Sequence, residues 1–215
     1  MNLELFDTPA LEGTEALGRH AAVLRGLALP WVEDLTPALH ALERESPFRN
    51  METPGGHVMS VALTSCGELG WVSDRRGYRY APVDPATGRP WPVMPEAFRR
   101  LARHAADLAG LGPFEPDACL VNRYAPGSRM GLHQDSNEKD RSAPIVSVSL
   151  GIPALFLFGG FRRSDKAQRV PLFHGDVVVW GGEDRMRFHG ILPLKSAEHA
   201  LLGSCRINLT FRKAG

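Results

Sequence analysis

Cys205-Arg206-Ile207-Asn208-Leu209-Thr210-Phe211-Arg212 is the stretch on which the fold turns. From Arg206 onward it alternates strictly. Arg206, Asn208, Thr210 and Arg212 fall on one face of a strand, and Ile207, Leu209 and Phe211 fall on the other. Working back from it, five more short β-like runs appear: Ala118–Tyr124, 145–150, Ala154–Phe158, 176–180 and 187–191. Gly, Pro and Asp separate them. Strands this short and this closely spaced point to an all-β sandwich or jelly roll in the C-terminal half. A seventh run, 59–64, is expected as a strand further upstream. Two helices precede the β-rich region. Trp31, Leu35, Leu39 and Leu42 recur at helical spacing behind Pro30, with Pro37 set inside the pattern. A second helix is expected over 95–108, with Phe98, Leu101, Ala105 and Leu108 as its apolar stripe and Gly110 as its stop.

The chain's 215 residues suit one domain, and 43% hydrophobic content supports a sizeable core. A formal net charge of +1 excludes a protein that coats nucleic acid by bulk electrostatics. Cys66, Cys119 and Cys205 lie far apart and form no CxxC pair, against a disulfide framework or structural zinc. The first seven residues lack the basic and apolar regions of a signal peptide. No apolar run approaches the roughly 20 residues of a membrane span. A soluble cytoplasmic protein is expected, and without a coiled-coil pattern a monomer.

His133-Gln134-Asp135 is an HxD motif. In an extended segment residues two apart point the same way, so the imidazole and the carboxylate can share one metal. His189 is the best candidate for a third ligand. Two histidines and one carboxylate on one face of an octahedron leave three positions open, which suits non-haem iron(II). An HxD alone carries little weight, since chance yields about 0.4 matches in a chain of average composition.

The alternating strand supplies a second constellation. Six residues at about 3.3 Å place Arg206 and Arg212 roughly 20 Å apart at Cα, and inward-leaning side chains leave about 8 Å between guanidinium groups. A five-carbon dicarboxylate fills that gap, and the planar fork of arginine suits carboxylate. Asn122 and Tyr124 share a face of another run and can add neutral hydrogen bonds. Two solvated arginines on an edge strand would produce the same pattern. The order of HxD, a distant His, then RxNxTxR is much more specific than any one of these.

Trp71-Val72-Ser73-Asp74-Arg75-Arg76-Gly77-Tyr78-Arg79-Tyr80 interleaves rings with cations, as single-strand binders do. Arg162, Arg163, Lys166 and Arg169 form a second basic cluster. An ordinary surface loop over core aromatics would read the same way.

The runs Asp117 to Gly127, His133 to Asp135, Gly175 to Gly182 and Cys205 to Arg212, together with Met59 to Ala62 and the Gly70-Trp71 and Gly77-Tyr78 pairs, resemble the bacterial AlkB family of alkylated-DNA repair dioxygenases. The likeness runs from about Ser46 to near the C-terminus. It implies a double-stranded β-helix core carrying N-terminal helices and a nucleotide-recognition lid. The expected organisation is a single catalytic domain over 1–215: extension and helix to about 46, lid over 47–92, supporting helix over 93–112, jelly-roll core over 113–215. It implies that His133, Asp135 and His189 bind Fe(II), and that Asn122, Arg123, Tyr124, Arg206, Asn208 and Arg212 hold 2-oxoglutarate, with Arg212 at the catalytic end. Trp71, Tyr78, Arg79, Tyr80, Asn137 and Arg163 are implied to contact substrate, Trp71 stacking on a flipped base opposite His133. The implied reaction couples 2-oxoglutarate decarboxylation by dioxygen to hydroxylation of an alkyl group on a base nitrogen, releasing an aldehyde. The expected substrates are 1-methyladenine and 3-methylcytosine in single-stranded DNA or RNA.

The chain departs from the family after the metal Asp, where Ser136 and Asn137 replace the common Lys and Asp. Asn137 bonds without charge, so a shifted or broader lesion range is expected. Glu138 is a candidate substitute for the lost acid, and Leu63 stands where methionine is common. Two other readings fit the residues less well: a dioxygenase of the same chemistry acting on a protein or small molecule, and a non-catalytic reader of damaged strands.

Overall fold

The computed structural model describes residues 13–215, so the leader reading of the first seven residues lies outside the described residues. In chain order the elements are β1 (Gly13–Gly18), β2 (Ala21–Arg25), α1 (Val32–Glu45), β3 (Arg49–Glu52), β4 (Val58–Gly67), β5 (Gly70–Asp74), β6 (Gly77–Ala81) and α2 (Glu96–Leu108). There follow β7 (Ala118–Tyr124), β8 (Met130–His133), β9 (Ile145–Gly151), β10 (Ala154–Phe158), β11 (Gln168–Leu172), β12 (Val177–Trp180), β13 (His189–Ile191) and β14 (Arg206–Arg212). The major sheet runs β1-β2-β12-β9-β14-β7-β4-β3, the minor sheet β11-β10-β13-β8, and β5-β6 form a separate hairpin. The two sheets face each other as a jelly roll.

β14 is central, antiparallel to β7 on one side and to β9 on the other. All seven of its residues are buried, which removes the reading of two solvated arginines on an edge. Its alternation separates two buried layers rather than core from solvent. Ile207, Leu209 and Phe211 join Val121, Val148 and Val179 against Leu35 and Leu39 of α1 and Phe98 and Leu101 of α2. The opposite face, with Leu120, Tyr124, Val178 and Trp180, meets Phe156 and Ile191 of the minor sheet. Burial on both sides makes this face a closed, dry place for polar groups.

α1 tolerates Pro37 because it lies on the exposed face, where the freed Glu33 carbonyl meets water. In α2 the expected stripe is corrected at Leu108, which is 55% exposed. Ala102 and Ala106 are buried instead, in the core that the helices share with the major sheet. Gly110, at φ +69°, ends the helix in the left-handed region.

Two segment boundaries also change. The N-terminal extension contributes β1 and β2, which continue the major sheet beyond β12. From the expected lid, β4 pairs with β7 and belongs to the same sheet, leaving β5-β6 as the part that stands apart. The hairpin is tied down at both ends. Ser73 Oγ donates to the Glu52 carbonyl at 2.5 Å, and Trp91 Nε1 donates to the Ala81 carbonyl at 2.9 Å.

Candidate metal centre and adjoining cavities

His133 ends β8 and His189 opens β13, and the two pair directly across the minor sheet. Asp135 lies two residues beyond β8, in a loop rather than on the strand itself. His133 Nε2 is 3.7 Å from Asp135 Oδ1, and His189 Nε2 is 3.7 Å from Asp135 Oδ2. One ligand atom from each residue lies within 4.8 Å of the others. Each histidine makes its Nδ1 contact with a main-chain carbonyl: Gly131 at 2.9 Å for His133, Arg187 at 3.1 Å for His189. With the proton held at Nδ1, the Nε2 lone pair is free to bind a metal. Burial pushes the His189 imidazole down to about 3, so it stays neutral. Asp135 is held well below the usual carboxylate range: burial opposes ionisation, but the Arg212 guanidinium beside it outweighs that cost. The donor set and its protonation states fit a divalent iron.

Arg212 reaches Asp135 Oδ2 through Nε at 2.8 Å and Nη2 at 2.7 Å. Behind this pair is a buried network. Arg185 donates to the Asp135 carbonyl at 2.9 Å and to Glu138 Oε2 at 3.1 Å, while Tyr80 donates its hydroxyl to Glu138 Oε1 at 2.8 Å. Glu138, the candidate substitute acid, is therefore fully engaged and faces inward. Tyr80 reaches this network rather than the open cavity. Burial raises its phenol well above the ordinary range, keeping it a neutral donor.

A narrow cavity of about 60 Å³ runs from the two histidines along the polar face of β14, with Asn122 and Tyr124 among its walls. At its far end Arg206 is 1% exposed. Its Nη2 donates to Ser149 Oγ at 2.9 Å, but Nε and Nη1 have no partner. Two unpaired guanidinium nitrogens in a dry site are costly unless an anion arrives. Asn122 Oδ1 and Trp180 Nε1 are also buried without partners nearby. This pattern fits a dicarboxylate anchored at Arg206 and reaching the metal.

A wider cavity of about 300 Å³ opens on the other side of His133 and Asp135. Trp71, Tyr78, Leu63, Asn137 and Arg163 help to line it. Trp71 and Tyr78 stack with centroids 5.5 Å apart and planes 15° from parallel.

Besides Tyr80, two expected site residues are corrected. Arg123 faces the helix layer, because its neighbours Asn122 and Tyr124 occupy the polar face of β7. It donates to Glu43 at 2.7 Å and covers the Phe48 ring at 4.4 Å. Arg79 alternates with Tyr78 and Tyr80 on β6 and turns the other way, bonded to Asp74 at 2.9 and 2.7 Å. Residues that sequence reading passed over include Ser147 and Ser149. Their alternation with Val146, Val148 and Leu150 was a usable signal. Arg185, in a loop with no periodicity, offered none.

Residues 23–212 match the model of the 2OG-Fe(II) oxygenase superfamily. Across almost its full length the chain is similar to "Alpha-ketoglutarate-dependent dioxygenase AlkB" of Escherichia coli, with 55% identity over 99% of this chain and 98% of that one. The chain belongs to the AlkB family. It is an Fe(II)- and 2-oxoglutarate-dependent dioxygenase. The protein of the same name from Salmonella typhimurium is 56% identical over 99% of this chain and 98% of its own. Among solved structures, that of OsALKBH1 matches with a TM-score of 0.83 and 30% identity, covering 94% of this chain and all of that one. The jelly-roll fold and the pairing of iron with 2-oxoglutarate and dioxygen agree with this membership. No described helix is long and apolar enough to cross a membrane.

Proposed function

We propose that this chain removes alkyl groups oxidatively from base nitrogens such as those of 1-methyladenine and 3-methylcytosine, in single-stranded DNA or RNA, acting as a monomer. The reading rests on one juxtaposition: a base-sized cavity walled by a stacked Trp71–Tyr78 pair opens directly onto His133 and Asp135. Chemistry at a base edge requires the base to leave its stack and enter such a pocket. Arg163 on the rim suits a phosphate neighbour. Relatives named "DNA N(6)-methyladenine demethylase ALKBH1D" in Arabidopsis thaliana and "tRNA demethylase abh1" in Schizosaccharomyces pombe are consistent with a nucleic-acid substrate.

In this reading His133, Asp135 and His189 hold iron(II), Arg206 anchors the distal carboxylate of 2-oxoglutarate, and Asn122, Tyr124 and Asn208 steady its length. Once bound, iron and 2-oxoglutarate supply the oxidation of the alkyl C–H bond by dioxygen. Arg212 fixes the carboxylate of Asp135, and Trp71 and Tyr78 present the base. The hairpin β5-β6 acts as the lid. Asn137 offers the base hydrogen bonds without charge, while Asp135 and Glu138 are committed to Arg212 and Arg185. The pocket therefore accepts neutral as well as cationic lesions.

The test is mass spectrometry of methylated oligonucleotides after incubation with enzyme, iron(II), ascorbate and 2-oxoglutarate. Loss of the methyl mass, abolished in Asp135→Ala, is expected. Succinate formation without any loss of methyl from DNA or RNA overturns the substrate reading.

A further inference from the structure

Phe161 and Tyr78 are the two exposed Phe, Tyr or Trp rings among the described residues, at 52% and 46% exposure. Single exposed apolar side chains are ordinary on a protein surface. These two, however, belong to segments that both contribute to the wall of one cavity. Tyr78 lines it directly, and Phe161 precedes by two residues Arg163, which lines it also. The loop carrying Phe161 is stitched to the segment that leads into His189. Gly159 N donates to the Phe188 carbonyl at 2.7 Å, and Phe188 N donates to the Gly160 carbonyl at 2.9 Å. The ring itself is held in place. The Arg187 guanidinium covers it at 5.0 Å and is fixed in turn by Asp184 and by the Gly159 carbonyl at 3.0 Å. Beyond Phe161 the loop closes on itself through mutual bonds of Arg162 and Asp165. The result is a braced ring turned to solvent, next to Arg162 in the chain and two residues from Arg163 of the cavity wall.

We infer that Phe161 stacks on the base next to the extruded nucleotide, replacing the stacking that the neighbour loses when its partner leaves the strand. This rests on the nucleic-acid reading proposed above. An exposed ring flanked by cations is what a sequence-tolerant contact to a strand requires: the π-face meets any base, and the arginines meet phosphate. Phe161 would then be a positioning residue for strand substrates, with no role toward a lone nucleotide.

Two measurements test this. The first compares kcat/KM for a methylated oligonucleotide with that for the methylated mononucleotide. Phe161→Ala is expected to lower the ratio about tenfold, mostly through KM for the oligonucleotide, whereas Val93→Ala, which trims an apolar side chain 83% exposed elsewhere, leaves it unchanged. The second places 2-aminopurine 5′ or 3′ of the lesion and follows its fluorescence with Mn(II) and 2-oxoglutarate, without turnover. Wild type is expected to change the emission at one of the two positions, and Phe161→Ala to lose the change. If Phe161→Ala does not fold, Phe161→Leu serves both measurements, with the same losses expected in smaller measure. Wild-type inactivity on every methylated oligonucleotide refutes the nucleic-acid reading. Oligonucleotide activity in wild type with an unaltered ratio and unaltered fluorescence in the variant refutes the role of Phe161 alone.

Discussion

Arg206 is a buried cation with two guanidinium nitrogens lacking an acceptor, and burial already pulls its affinity for the proton below the ordinary value. Such a group tolerates no loss of its intended partner and no blunt replacement. Arg206→Lys substitutes a point charge for a fork. It is expected to raise KM for 2-oxoglutarate about 100-fold, with a matching loss of 2-oxoglutarate affinity in calorimetry on the Mn(II)-loaded protein. An unchanged affinity would mean the dicarboxylate is anchored elsewhere. Asn137 sets a second expectation at this scale. It is exposed on the wall of the wide cavity, where the neighbouring carboxylates are already paired. Asn137→Asp adds the missing charge and is expected to raise the preference for cationic 3-methylcytosine over neutral 3-methylthymine by about three- to tenfold, in paired kcat/KM measurements at low salt. Equal preference in both proteins would count against any role of position 137 in reading charge.

At the scale of elements, two ion pairs of similar length have very different weight. Arg185 and Glu138 have side chains 3% and 2% exposed and lock the loop after β8 to the turn before β13. Arg185→Met leaves Glu138 buried without its closest cation. It is expected to cost about 3–5 kcal/mol in urea unfolding and to weaken metal binding, since Arg185 also holds the Asp135 main chain. Arg123 and Glu43 are 39% and 41% exposed. Arg123→Ala is expected to cost less than about 1 kcal/mol and to leave KM for 2-oxoglutarate at the wild-type value, a direct check that this arginine faces the helices. Elements also explain what could be read beforehand. β14 was legible because its period of two separates a polar cavity from an apolar layer, and β7, β9 and β10 because they are short apolar runs between turn residues. β11 was not legible. It is an edge strand containing Gln168, Arg169 and Pro171, and pairing with β10 alone makes it a strand. β1 carries no alternation at all and is held by its register with β2. His133 and Asp135 were named from their spacing, His189 as the best third candidate after a strand-like run, and the set of three from the family resemblance. Yet their meeting depends on the antiparallel pairing of β8 with β13, which local sequence does not encode.

For the molecule as a whole, the buried imidazoles make stability depend on pH. His189 is held down to about 3 and His174 to about 4, both chiefly by burial. His174 also uses Nδ1 to accept the Gly151 N–H at 3.0 Å, and its ring lies 4.3 Å from that of His199. In the unfolded chain these side chains titrate near 6.5. Between pH 6.5 and 4 the unfolded state therefore binds protons that the folded state refuses. The stabilisation is fully present above pH 6.5 and is lost as pH falls through that window. Asp135 works on the same principle, but its loss falls below the window because its carboxyl is held so low. For metal-free protein, His189 alone is expected to remove about 2 kcal/mol between pH 7 and 5. His174 adds to this by an amount that its partial exposure reduces. Urea unfolding at the two pH values checks it, with His189→Asn as the comparison that cannot titrate. The wild type should lose more stability than the variant by about that margin. Because metal binding itself weakens as its ligands take up protons, the extra stability of the metal-loaded enzyme should also shrink as pH falls. Identical pH dependence in wild type and His189→Asn would mean that the imidazole at the heart of the site reaches solvent and is not kept neutral by burial.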